Sequence, residues 1–202
     1  MSETEPAEGF RHGRPRQIEN RPYAEYADRW AIVVGISSYQ HDSLCLRYAH
    51  RDANEFCDWL QTPSGGGFAA DHIVKLIDQE ATTSNITRAL RSFLKRPARE
   101  DVVVVYFACH GGPDPDRPGN IYLLTHDTDP GDIAGTALPM REIDLALREN
   151  LLAERVVIIA DTCHSAAIAA NRRASGGSAL VNRYLQELSL SKPGTALLTS
   201  AD

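Results

Sequence analysis

The sequence predicts an α/β fold, a doubly wound, mostly parallel sheet flanked by helices. Three observations predict it. Apolar, β-branched runs alternate along the chain with segments whose apolar residues recur at helical spacing. One run, Asp101 to Cys109 (DVVVVYFAC), is apolar without alternation, as a strand covered on both faces requires. Finally, 202 residues that are 43% hydrophobic and 24% charged suffice to bury such a sheet in one domain.

Residues 1–29 contain three prolines, five arginines and six acids without sustained apolar periodicity, and are expected to form a flexible N-terminal arm. The domain proper is expected over residues 30–202. Trp30 to Ile36 (WAIVVGI) reads as the first strand, followed by a helix with Leu46, Ala49, Ala53, Phe56, Cys57 and Leu60 on one side. Ser64 to Gly67 breaks the chain, Ile73 to Ile77 is a second strand, and Ile86, Ala89, Leu90, Phe93 and Leu94 mark a helix stopped by Pro97. Asp101 to Cys109 is the third, central strand. A loop over Gly111 to Gly119, a short extended piece at Ile121 to Leu124 and an acidic loop with Asp127, Asp129 and Asp132 follow. Pro139 opens a helix carrying Met140, Ile143, Leu147 and Leu151, and Arg155 to Ala160 (RVVIIA) is a fourth buried strand. Residues 170–182 read as a flexible linker, before a helix near Leu180 to Leu188 and a fifth strand at Thr195 to Thr199. No internal repeat is present.

Composition excludes several classes. No apolar run reaches the roughly 18–20 residues that span a bilayer, and the first 25 residues have no secretory pattern, so no membrane partner is expected. With 21 basic against 27 acidic residues and a net charge of −6, no basic patch suggests nucleic acid. The four cysteines, Cys45, Cys57, Cys109 and Cys163, form no C-x-x-C pair and are too sparse for a disulfide scaffold, which points to a reducing cytoplasm. An Arg-rich, Lys-poor composition points to a bacterial source.

In an open parallel sheet, functional residues collect beyond the carboxyl ends of the strands. The third strand runs into Cys109-His110-Gly111-Gly112 and the fourth into Asp161-Thr162-Cys163-His164-Ser165. If these strands are neighbours, their axes lie about 4.8 Å apart, a short reach for an imidazole and a thiol. A thiolate beside a histidine attacks amide carbonyls, and the histidine then protonates the departing amine. Gly111, lacking a side chain, can present its N–H to an oxyanion, and the Cys163 N–H is a natural second donor. Two Cys-His pairs also match a tetrahedral metal in ligand number, but adjacent strand residues point to opposite sides and converge poorly. Gly35-Ile36-Ser37-Ser38 after the first strand matches neither phosphate-binding glycine motif, which argues against a nucleotide enzyme.

The chain resembles the caspase and metacaspase family of cysteine peptidases. The resemblance rests on the strand leading into Tyr106-Phe107-Ala108-Cys109-His110-Gly111, on Asp161-Thr162-Cys163-His164-Ser165, and on a His-to-Cys interval of 53 residues (163 − 110). That interval matches the separation of about 50 in caspases. The likeness extends to Gly35, Tyr39 and Leu46 to Phe56, and so covers nearly all of residues 30–202. It implies a catalytic dyad of His110 and Cys163, an oxyanion hole at the Gly111 and Cys163 amides, and a caspase-like sheet. In that fold a further strand and helix follow the fifth strand, so a C-terminal strand and helix, and a regulatory portion, are expected beyond this chain.

Metacaspases are the nearer match, because Asp161 stands two residues before the nucleophile where caspases have Gln. Asp161 and, at the start of the first helix, Asp52 are implied as pocket acids, so cleavage after Arg or Lys is expected. Departures lie at Ala108-Cys109, where metacaspases have Ser-Gly, and at Arg51, where they have Asn. Arg172 and Arg173 are candidate self-cleavage positions in the linker. The chemistry requires no cofactor. Several family members need Ca²⁺, for which Asp127, Asp129 and Asp132 are the candidates, although their spacing is not that of a complete calcium loop. The competing function is a silent caspase-like scaffold or regulatory module; retention of His110, Cys163 and Asp161 argues against it.

Overall fold

The computed structural model describes residues 27–164 and 177–199, and for 163–164 and 177–179 the backbone alone. Most of the expected arm, and Arg172 and Arg173, lie outside the described residues. The fold is a mixed α/β one with a mostly parallel sheet and helices on both faces.

The parallel strands β1 (Arg29–Gly35), β2 (Ile73–Ile77), β3 (Val102–Pro113), β6 (Arg155–His164) and β7 (Thr195–Thr199) lie in the order β2-β1-β3-β6-β7. The unalternated apolar run is central, as its composition requires. Every β3 residue after Val102 is buried, with β1 on one side and β6 on the other. The last residues of the expected arm are tied to the sheet, because the Asp28 N–H donates to Asp101 Oδ1 at 3.0 Å and its carbonyl accepts from Val102. Buried Asp101 also accepts from Trp30 Nε1 at 2.9 Å and from the Ala98 N–H.

Two strands run further than their composition suggests. β1 ends at Gly35, opposite Ala108, and the vacated edge of β3 is taken by β4 (Ile121–Leu123), antiparallel, with Gly111 facing Leu123. This partner carries β3 through His110-Gly111-Gly112 to Pro113, so the expected loop starts later than Gly111. The lengthened β3 in turn supports β6 past Ala160 to His164. β4 pairs onward with β5 (Leu138–Pro139).

Helices cover both faces. α1 (Ala49–Gln61) buries Ala49, Ala53, Cys57 and Leu60 against Ala31, Val33, Val104, Tyr106 and Ala108. A Cβ on Gly35 would lie 2.3 Å from the Ala53 Cβ and 2.7 Å from the Ala49 carbonyl, so only glycine lets α1 sit this close to β1. The opposite face is covered by α2 (Thr83–Ser92), α4 (Met140–Glu149) and α5 (Gly177–Ser191). There Ile86, Leu90, Ile143, Leu147 and Leu185 pack on Ile32, Val34, Val105 and Phe107, each fully buried aliphatic contributing about 1.5–3 kcal/mol. The short α3 (Ile133–Thr136) precedes β5. α5 corrects the expected linker. Residues 177–182 are helical, because Val181 and Leu185, each 1% exposed, give this stretch a buried side against the sheet.

Candidate active site

Register brings the two candidate residues together. β3 and β6 pair in step from Val102 with Arg155 to Gly111 with His164, which sets His110 opposite Cys163 and Ala108 opposite Asp161. Paired backbones of this kind are about 4.8 Å apart.

The His110 ring is held by the segment between β1 and α1. It is 5% exposed, and its Nε2 lies 2.9 Å from the Leu44 carbonyl. A carbonyl only accepts, so Nε2 carries the proton and Nδ1 is the basic nitrogen. The His110 backbone N–H donates to the Tyr39 hydroxyl at 3.0 Å, and the two rings pack 5.5 Å apart at 36°. Its carbonyl accepts from the Leu124 N–H at 2.8 Å. An imidazole oriented by a buried backbone carbonyl has the base–orienter relation of nucleophilic catalysis. Sequence reasoning missed Leu44, because every residue has a carbonyl and nothing in its side chain marks this one.

Packing leaves little room for a side chain at Gly111. A Cβ there would come within 3.2 Å of Val181 Cγ2 on α5 and 3.4 Å of Leu123 Cδ2. Cys109 is 1% exposed and belongs to the core on the α5 side.

Both implied pocket acids act electrostatically on Tyr106. Tyr106 belongs to the α1-covered face, stacked on Phe56 at 4.7 Å. Its phenol is pushed up to about 12, first by burial and then by the carboxylates of Asp161 and Asp52. Asp161 arrives from β6 and Asp52 from the first turn of α1. Arg51 is exposed, as is Asp52, whereas Asp161 is half-buried.

The acidic loop is committed to turns. Asp127 Oδ1 accepts from Thr83 N–H and the Thr125 hydroxyl, Asp129 Oδ1 from Gly131 N–H, and Asp132 Oδ1 from Gly135 N–H, capping α3. Among the described residues, no group of three or more His, Cys, Asp or Glu side chains is arranged to hold a metal ion. Among them, too, no helix is long and apolar enough to cross a membrane. A groove of about 490 Å³ between β2 and α2, lined by Val74, Leu76, Ala89 and Phe93 among others, lies on the far edge of the sheet and contains none of the site residues.

A histidine and a cysteine thus stand in register at the carboxyl ends of adjacent parallel strands in an α/β fold. A family model for the caspase domain matches residues 28–195, and the chain belongs to that family. It is 26% identical over 173 residues to metacaspase-1B of Aspergillus oryzae, covering 79% of this chain and 39% of that protein. It is 25% identical over 154 residues to metacaspase-1 of Saccharomyces cerevisiae, covering 69% and 34%. A probable protease from a Desulfuromonadales bacterium is 28% identical over 96 residues, 41% of this chain and 12% of its own. The chain thus spans well under half the length of these relatives. Among solved structures, a Geobacter sulfurreducens protein superposes with a TM-score of 0.58 at 16% identity, over 87% of this chain and 73% of that one, a likeness of fold.

Proposed function

We propose that this domain is a cysteine endopeptidase that cleaves after Arg or Lys. The observation that carries the reading is the register of His110 with Cys163, combined with an imidazole whose Nε2–H is committed to the Leu44 carbonyl. In the mechanism, His110 Nδ1 takes the Cys163 proton and the thiolate adds to the scissile carbonyl. By family resemblance the resulting oxyanion accepts from the Gly111 and Cys163 amides, which requires the tips of β3 and β6, paired through Gly111 and His164, to part. As the C–N bond breaks, His110 returns the proton to the leaving amine and a thioester remains. Water, deprotonated by His110, then adds to the thioester, and the acid product and the Cys163 thiol leave.

Basic specificity is supported by Asp161 and Asp52, whose carboxylates both act electrostatically on the buried Tyr106 phenol. No step calls for a cofactor. Hydrolysis of matched Arg- and Asp-ended reporter peptides by wild type and Cys163→Ala tests the reading. We expect Arg cleavage that Cys163→Ala abolishes; cleavage after Asp alone, or Arg cleavage that survives the substitution, refutes it. Mass spectrometry of active protein reads self-cleavage after Arg172 or Arg173 in the same experiment.

A further inference from the structure

We infer that Asp78 is a positioning residue for His110, acting through the segment that joins β1 to α1; its catalytic readout rests on the peptidase reading. Asp78 follows β2 directly and has φ 47°, the one non-glycine residue with positive φ among the described residues. That region is sparsely populated by side-chain-bearing residues, Asn and Asp adopting it most readily, and such positions gather where function demands them.

Its side chain reaches across to another strand's exit. Asp78 Oδ1 accepts the N–H of Ser37 at 2.7 Å and of Ser38 at 2.8 Å. Two consecutive amides on one carboxylate oxygen fix the direction in which the chain leaves β1, and charge-assisted bonds of this kind are about twice as strong as neutral ones. The same short segment is tied on its other sides. The Ser37 hydroxyl accepts the His50 N–H at 3.0 Å, the Ser37 carbonyl accepts the Leu46 N–H at 2.8 Å, and the Ser38 carbonyl accepts from His126 Nδ1 at 2.7 Å.

From this segment come two of the groups that hold His110, the Tyr39 hydroxyl and the Leu44 carbonyl. The line of contact therefore runs from Asp78 to the Ser37 and Ser38 amides, on to Tyr39 and Leu44, and from them to the imidazole. A residue that merely closed the turn after β2 would need no carboxylate aimed at amides some forty positions earlier in the chain.

The test compares Asp78→Ala, which removes the acceptor, with Asp78→Asn, which keeps an oxygen acceptor and tolerates the left-handed backbone. With an Arg-ended reporter, well below the melting temperature of each variant, kcat is expected to fall about 10- to 100-fold in Asp78→Ala. KM should stay within about threefold, and Asp78→Asn should recover most of the rate. In parallel, the His110 ring resonances, assigned with His110→Gln, should shift in Asp78→Ala and return toward wild type in Asp78→Asn. A lowered melting temperature with unchanged kcat and unchanged ring signals makes Asp78 structural only and overturns the inference, as does an Asp78→Asn variant impaired as deeply as Asp78→Ala. If the wild-type protein cleaves no peptide, the peptidase reading falls, and the ring signals alone decide whether Asp78 positions His110.

Discussion

Replacing Tyr39 with Phe removes a bond that holds the candidate base. The ring stays, so its packing against His110 at 5.5 Å and the core around it are kept, and no cavity forms. What is lost is the hydroxyl that accepts the His110 N–H at 3.0 Å. The bond from that hydroxyl to the Leu124 carbonyl is long, at 3.5 Å, and contributes little. Tyr39 is 4% and His110 5% exposed, so water does not readily replace the acceptor. A buried donor left unsatisfied costs about 1–3 kcal/mol. For a domain of this size each kcal/mol lowers the melting temperature by about 2–4 °C, which gives a fall of about 2–12 °C. If the same energy is expressed in the transition state, kcat falls about 5- to 150-fold. Calorimetry and turnover of an Arg-ended reporter read the two shares. A variant that melts within about 1 °C of wild type and turns over within about twofold of it refutes the role given to this bond.

Other predictions concern the pocket and the strand tips. Asp161→Asn should lower kcat/KM for Arg reporters about 10- to 150-fold, since a half-buried charge-assisted bond is worth about 1.5–3 kcal/mol. Exposed Asp52 makes a weaker, solvent-screened pair, so Asp52→Asn should cost less than about tenfold; equal effects would contradict the assigned burial. The Tyr106 phenol, ordinarily near 10 and here pushed up to about 12, is held neutral in the native state, so its contribution to stability is complete below pH 10 and lost as pH rises from about 10 to 12. Urea midpoints measured across that window should fall less steeply for Tyr106→Phe than for wild type. Burial also raises the Cys57 thiol, so iodoacetamide should label exposed Cys45 long before Cys57, as peptide mapping will read.

The strands of the sheet were legible because long β-branched runs leave few alternatives, and Asp101 to Cys109 marked its own central place. The ends of β3 and β6 were not. Gly111-Gly112-Pro113 has the composition of a loop, and only the arrival of β4 on an edge that β1 has vacated makes it a strand. The start of α5 was hidden in the same way, because Gly177 and Ser178 look like linker until Val181 finds Gly111. At the site, the residue types with chemistry in their side chains could be picked out, and family likeness paired Asp52 with Asp161. The groups that orient His110 could not, since the Leu44 carbonyl has no signature and the Tyr39 hydroxyl acts across 71 positions of sequence.

The matched register of β3 and β6 makes the domain unequal in its tolerance of insertions and deletions. Val102 to His110 and Arg155 to Cys163 are stretches of equal length laid side by side. One residue added to either stretch would move its tip by a full step and turn every later side chain to the other face of the sheet. The same residue added after Pro113, in the turn before β4, would leave the pairing below it untouched. Length variation among working relatives, and sites for inserted tags or sensors, should therefore fall in that turn and in the acidic loop, with none between the lower ends of these two strands and their tips.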